Sequence, residues 1–168
     1  DSSHPDSITT DFSSLKFVVY GASPIAESTI VKAREIMKCD LYQVYGLTET
    51  TGAITIMMPD DHDPERGKLR SCGKALKGVE LKVIDDDGND LESGEIGEVI
   101  SKSKLNMKGY WNKPDATKES IVNGWFYSGD SGFFDEEGFL FIHDRVKDMI
   151  VSGGENIYPA EVENALMS

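Results

Sequence analysis

Lys16-Phe17-Val18-Val19-Tyr20, running at once into Gly21-Ala22-Ser23-Pro24, sets the reading of the fold. The apolar run reads as a buried strand, and the Gly and Pro behind it mark a turn. Ser23 is placed to cap a helix and Pro24 suits its first position. Ile25, Ala26, Ile30, Ala33, Ile36 and Met37 then supply an apolar face as far as Lys38. Leu41 to Tyr45 is a second short strand that meets a loop at Gly46. Strand, helix, strand in this order predicts part of a parallel α/β sheet with a site at the strand ends.

Further along, Ala53 to Met58 reads as another strand, and Pro59 to Gly67 as an exposed connection that marks a subdomain boundary. Val79-Glu80-Leu81-Lys82-Val83 alternates apolar and charged residues, the acidic turn Asp85-Asp86-Asp87-Gly88 follows, and Ile96 to Ser101 resumes a strand. Phe133 to Ile142 has apolar arms around Asp135-Glu136-Glu137-Gly138, the form of a hairpin. Both acidic turns read as solvated hairpin tips. After charged Asp144 to Asp148 comes apolar Met149-Ile150-Val151, then the loop Ser152-Gly153-Gly154 and a helix opening at Pro159.

The expected fold class is α/β: a partial parallel α/β layer over 1–60, an antiparallel β subdomain over 61–142, a hinge at 143–148, and the start of a small C-terminal α+β domain over 149–168. The last helix has only itself to pack on. Its apolar face therefore calls for a partner, and the remainder of its own chain is the expected one.

Composition narrows the function. Among 168 residues, 30 Asp and Glu stand against 17 Lys and Arg, a formal charge of −13 that repels an extended phosphate backbone, so no nucleic acid is expected as partner. A small nucleotide is still admissible, because Mg²⁺ and local backbone N–H groups neutralise its phosphates without a basic surface. Cys39 and Cys72 lack any CxxC spacing or nearby histidine cluster, which fits a reducing, cytoplasmic setting. No apolar run approaches the roughly 20 residues of a transmembrane segment.

Tyr45-Gly46-Leu47-Thr48-Glu49 places an aromatic plane, a flexible backbone, a hydroxyl and a carboxylate within five residues at a strand end. Tyr can stack on a base, Thr can donate to a phosphate oxygen, and Glu can hold Mg²⁺. Taken alone, the segment is equally a strand end with a solvated turn. His4, His62 and His143 lack a base or nucleophile partner in any recognisable spacing and carry no assigned chemistry.

Seven segments in order change the weight of that reading. They are Gly21 to Pro24, Tyr45 to Glu49, Gly94 to Glu98 (GEIGE), Gly109 to Asn112 (GYWN), Gly124 to Asp130 (GWFYSGD), Asp144 to Asp148 (DRVKD) and Ser152 to Glu163 (SGGENIYPAEVE). Together they resemble the adenylate-forming family of acyl-CoA ligases, luciferases and peptide-synthetase adenylation domains. The DRVKD and SGGEN segments look most like fatty-acyl or aryl-CoA ligases.

The resemblance implies that Gly21 and Ala22 line an adenine pocket with Tyr45 and Gly46, and that Thr48 contacts the α-phosphate while Glu49 ligates Mg²⁺. It implies that Asp130 accepts both ribose hydroxyls, that Arg145 reaches the same sugar, and that Lys147 is the hinge. Gly153 and Gly154 would line the tunnel for the pantetheine of coenzyme A. The implied parent reaction joins a small carboxylic acid to ATP, giving acyl-AMP and pyrophosphate, and then to CoA, giving acyl-CoA and AMP. The alternatives are loading of a carrier-protein phosphopantetheine, or a non-catalytic relative.

Gly109-Tyr110-Trp111 and Gly124-Trp125 look like structural corners with their aromatics packed in the β subdomain. Ser128 stands where the family usually has Thr, Ser131 where it has Leu or Ile, and Ser103 where Gly is common. The family's phosphate loop and its C-terminal lysine are not among these 168 residues. The chain alone is therefore not expected to make an acyl-adenylate at a useful rate. Of the acyl pocket, only Thr50 to Ala53 is expected to contribute.

Overall fold

A computed structural model describes residues 9–22, 25–145, 150–152 and 155–157. The chain begins with β1 (Phe17–Gly21), α1 (Glu27–Met37), β2 (Asp40–Leu47) and β3 (Gly52–Met57), and β4 (Lys74–Ala75) follows a long connection. These strands form one sheet in the order β1-β2-β3-β4. The β1–β2 pair is parallel, with Val18 opposite Leu41, whereas β3 and β4 are both antiparallel additions. The expected parallel layer is thus one strand pair in a mixed sheet.

Strand β1 is half-buried rather than buried. Its inner residues Val18 and Tyr20 pack with Val31 and Cys39 around Ile30, Leu41 and Leu69. Phe17 and Val19, pointing the other way, are 58% and 54% exposed. The period-two alternation of a strand explains the split, since β1 is an edge and α1 covers one face only.

Helix α1 also starts later than expected. Its N-cap is Ala26, which makes no side-chain cap bond, so Ile25 and Ala26 precede the helix. Ser23 and Pro24 lie outside the described residues. The other end is a left-handed cap: Lys38, at φ 50°, donates its N–H to the Arg34 carbonyl at 3.0 Å.

The second sheet is antiparallel. It comprises β5 (Glu80–Ile84), β6 (Gly97–Lys102), β7 (Ile121–Val122), β8 (Trp125–Phe134) and β9 (Leu140–Arg145), with α2 (Pro114–Ser120) leading into β7. The long β8 is its spine and pairs with β6, β7 and β9. A further antiparallel pair joins β10 (Ile150–Ser152) to β11 (Glu155–Ile157). The expected helix from Pro159 lies outside the described residues.

The two sheets share a core. Cys72, Val83, Val99 and Leu140 form its buried centre, with Tyr45, Leu81, Leu91, Phe134 and Ile142 against it. Burial pushes the Cys72 thiol up to about 11. The segment before β4 is laced to β9 by Cys72 N–H to the Leu140 carbonyl at 2.6 Å and Leu140 N–H to the Gly73 carbonyl at 2.9 Å. The Thr55 hydroxyl also donates to the Cys72 carbonyl, at 2.5 Å.

Two expectations for polar residues are corrected here. His62 is fully buried, with Nδ1 2.8 Å from the Met58 carbonyl and Nε2 3.0 Å from the Tyr20 hydroxyl. A carbonyl only accepts, so Nδ1 carries the proton and Tyr20 donates to Nε2; burial lowers the ring's pKa and keeps it neutral. The turn at Asp135 to Glu137 is not simply a solvated tip, because Lys68 pairs with Asp135 at 2.6 Å and Glu137 at 2.7 Å. Its ammonium also sits 5.0 Å from the centre of the Phe139 ring.

Gly73 has φ +82°, and a Cβ added there would collide with the backbone of Ile56 and Met57. Gly73→Ala should therefore cost about 2–4 kcal/mol, from left-handed strain plus overpacking. Gly88, at φ +84° with open space around it, lacks the collision. Thermal melts of the two alanine variants should show a markedly larger drop for Gly73; equal drops would mean that the inter-strand approach is not tight.

Candidate functional site

The turn after β2 is built by short-range chemistry. Thr48–Thr50 form a 3₁₀ turn, and Thr51 follows in the left-handed region at φ 58°. Buried Thr50 pins it: its hydroxyl accepts the Leu47 N–H at 2.9 Å and lies 2.7 Å from the Gly52 carbonyl, to which it can donate. The pairing of β2 with β3 shifts register between Tyr45 and Gly46. A Cβ on Gly46 would strike the Gly52 carbonyl, so only glycine lets the returning strand cross this closely. Thr48 is left exposed at the turn and Glu49 partly so. Thr50 has no surface to offer an acyl group, which corrects its expected share in an acyl pocket.

Glu49 is held from outside the turn, a contact that sequence reading missed. The Tyr110 hydroxyl donates to Glu49 Oε1 at 2.7 Å, and the Met107 N–H donates to the Glu49 carbonyl at 2.6 Å. The Thr51 hydroxyl donates to the Leu105 carbonyl at 2.6 Å. Gly109-Tyr110-Trp111 is thus not a packed corner: Trp111 is 89% exposed and Tyr110 reaches the turn. The signal available was a Tyr beside a Gly in a polar, lysine-rich stretch, which gives no hint of a partner 61 residues away.

Parallel pairing sets Gly21 opposite Val44, which brings Gly21 and Ala22 alongside Tyr45 and Gly46 at the strand ends. A Cβ on Gly21 would meet the Val44 carbonyl. Ala22 adopts φ 69°, an uncommon conformation for a residue with a side chain, at the place where strand strain and function often coincide.

Across the gap between the sheets, the Tyr45 hydroxyl donates to Asp130 Oδ2 at 2.6 Å. Asp130 Oδ1 pairs with Arg145 Nε at 2.9 Å, and these two residues are register partners on β8 and β9. The Asp130 N–H donates to the Ser128 hydroxyl at 3.0 Å, and that hydroxyl donates to the Val99 carbonyl at 2.5 Å. The Ser128 hydroxyl therefore ties Asp130 to the neighbouring strand β6. The Gly129 N–H donates to Glu98 at 2.9 Å.

Burial pushes the Asp130 carboxyl above the usual carboxylate range, and Tyr45 and Arg145 offset this only in part. Burial likewise raises the Tyr45 phenol, with the Asp130 charge adding to the effect. Tyr45 stays a donor. A carboxylate has about four acceptor positions, so Asp130 retains capacity for two further donors.

Gly21, Ala22, Tyr45, Gly46, Thr48 and Glu49 thus lie at the ends of β1 and β2, and Asp130, in the middle of β8, and Arg145, at the end of β9, join them through the Tyr45 hydroxyl. Lys147, Gly153 and Gly154 lie outside the described residues. Among the described residues, no group of three or more His, Cys, Asp and Glu could hold a metal ion. Glu49 can supply a single carboxylate oxygen, which suits an ion such as Mg²⁺ that keeps waters and takes substrate phosphates as its other ligands.

The sequence profile of AMP-binding enzymes matches residues 2–111. The chain is 43% identical over 156 residues to the fatty acid–[acyl-carrier-protein] ligase ScoC of Streptomyces coeruleorubidus, covering 93% of this chain and 30% of ScoC. The amide bond synthetase McbA of Marinactinospora thermotolerans superimposes with a TM-score of 0.90 at 40% identity, over 99% of this chain and 34% of McbA. O-succinylbenzoate coenzyme A synthetase (MenE) of Bacillus subtilis, solved in complex with ATP and magnesium ion, matches with a TM-score of 0.83 at 40% identity, over 91% of this chain and 31% of MenE. The chain thus spans about a third of the length of these relatives. By the extent and identity of these matches, the chain belongs to the family of AMP-binding enzymes.

Proposed function

We propose that the protein containing this chain is an ATP-dependent acid–thiol ligase that activates a small carboxylic acid as acyl-AMP, releases pyrophosphate, and transfers the acyl group to coenzyme A with release of AMP. The observation that carries this reading is the Tyr45–Asp130–Arg145 constellation. A buried carboxylate with unused acceptor capacity, on the antiparallel strand β8, is bonded to Tyr45 just past the parallel β1–β2 pairing that carries Gly21.

In this reading Gly21, Ala22, Tyr45 and Gly46 form the adenine site, the small residues admitting the base edge-on to backbone. The Tyr45 ring packs on the core, so it bounds the pocket as a fixed wall. Asp130 accepts the ribose hydroxyls, and Arg145 holds its carboxylate in place. Exposed Thr48 donates to the α-phosphate. Glu49 holds Mg²⁺, which supplies charge stabilisation as the acyl carboxylate displaces pyrophosphate.

Lys147 is assigned to the hinge, between an adenylating lobe and a C-terminal lid beginning near residue 149, and Gly153 and Gly154 to the pantetheine tunnel. Turnover belongs to the longer protein, and the 168 residues alone should release no pyrophosphate. The free thiols Cys39 and Cys72 support a cytoplasmic setting. The similarity to ScoC favours one second reading, a carrier-protein thiol as acceptor, and assaying the full-length protein with CoA and with a phosphopantetheinylated carrier separates the two.

In the full-length protein, Asp130→Asn should weaken AMP binding by about 10–100-fold, the loss of charge-assisted hydrogen bonds. The ionised carboxylate is the acceptor and its pKa is raised, so the affinity should depend on pH. On acidification it should fall at a pH above the ordinary aspartate value of about 3.9. Calorimetric titrations across pH test both points, and unchanged affinity in the Asn variant would exclude the ribose role. Lys147→Pro should spare acid-dependent pyrophosphate exchange while suppressing thioester formation; equal loss of both would remove the hinge assignment.

A further inference from the structure

Tyr110 has no ligand role assigned so far, yet its hydroxyl is bonded to the Glu49 carboxylate at 2.7 Å. We propose that Tyr110 is the positioning residue of the Glu49 carboxylate: its hydroxyl occupies Oε1, fixes the plane of the carboxylate and leaves Oε2 to a divalent cation. The proposal rests on the reading of Glu49 as the Mg²⁺ ligand.

Three features separate this contact from a chance surface bond. First, the segment carrying Tyr110 is fastened to the turn at two further points, Met107 to the Glu49 carbonyl and Leu105 to Thr51, so the hydroxyl arrives from a fixed frame. Second, Tyr110 is itself oriented: its N–H donates to the Thr117 hydroxyl at 2.8 Å, and that hydroxyl donates to the Lys113 carbonyl at 2.9 Å, at the start of α2. A Cβ on neighbouring Gly109 would press on the Thr117 side chain, so the corner is shaped around this bond. Third, Tyr110 stabilises no core. It lines an open groove with Lys108, Trp111, Thr117 and Lys118, and its neighbour Trp111 is almost fully exposed. The bond to Glu49 also raises the phenol's pKa, as expected for a donor facing a carboxylate.

Metal-binding carboxylates are generally oriented by a donor behind them, and removing that donor typically costs 10–100-fold in metal affinity. A single glutamate among waters and phosphate oxygens depends on such support more than a multidentate cage does, because no second protein ligand fixes its geometry.

The test uses the full-length protein with MgCl₂ and ATP as probes, and Mn²⁺ as a spectroscopic stand-in read by the resonance of the free ion. Tyr110→Phe should raise the half-saturating Mg²⁺ for ATP binding by about tenfold and weaken Mn²⁺ binding in parallel. ATP affinity in excess chelator and the melting temperature should stay as in the parent. Thr117→Val, which removes the hydroxyl that accepts the Tyr110 N–H and donates to the Lys113 carbonyl, should shift the metal titration in the same direction by less, and it carries the test if the Phe variant does not fold. Adding Tyr110→Phe to Glu49→Gln should change nothing further.

Parental metal titrations in both Tyr110→Phe and Thr117→Val would overturn the proposal, as would equal losses with and without metal. If Glu49→Gln loses its response to Mg²⁺ while Tyr110→Phe does not, the Tyr110 inference alone fails. If Glu49→Gln keeps the parental response, the Glu49 reading fails and takes this inference with it.

Discussion

The hydrogen bond from Tyr45 to Asp130 is the constraint on which the site depends, because its partners belong to different sheets and lie 85 residues apart in sequence. Tyr45 lies one residue past the end of the parallel pairing, and Asp130 sits in the middle of the longest strand of the antiparallel sheet. Each is costly to bury alone, a carboxylate more so than a phenol. Joined, they satisfy one another and draw the sheets together over the Cys72, Val83, Val99 and Leu140 core. Glycine-bearing strand ends thus lie on one side of the bond and an incompletely compensated carboxylate on the other.

That arrangement assigns different work to neighbouring residues. Thr50 and Ser128 face inward, and their hydroxyls hold backbone in place, one at the turn and one behind Asp130. Thr48 and Arg145 face outward, Arg145 while paired with Asp130. Gly46 and Gly73 supply no group at all. Their role is to permit contact distances between strands that any side chain would forbid. The geometry at these strand ends therefore rests on backbone proximity as much as on polar side chains.

Much of this was legible in the sequence, and the exceptions have physical causes. The strand expected at 16–20 and the second strand into Gly46 follow from short-range pattern and formed within a residue or two of their expected bounds; the hairpin about Asp135 to Gly138 also formed, with arms reaching back to Trp125 and on to Arg145. The helix start was misplaced because Ser and Pro signal a cap wherever they stand, whereas the structure opens the helix at Glu27. The mixed character of the first sheet was not readable, since a strand's periodicity carries no direction. His62 and Tyr110 were passed over for a related reason: each acquires its partners only when distant segments meet, His62 with Tyr20 and Tyr110 with Glu49. Local sequence pattern carries no record of such contacts, which only the tertiary fold supplies.

The two tryptophans occupy opposite environments. Trp125 is partly covered, with the ammonium groups of Lys82 and Lys102 at 5.2 and 5.7 Å from its ring, whereas Trp111 stands 89% exposed one residue from Tyr110. The indole of Trp111 is thus a native optical probe tethered to the Glu49 turn, and the Trp125 signal is an internal reference within the same chain. Collisional quenchers that reach only solvent-facing rings would separate the two emissions, so events at the turn could be followed without attaching a dye.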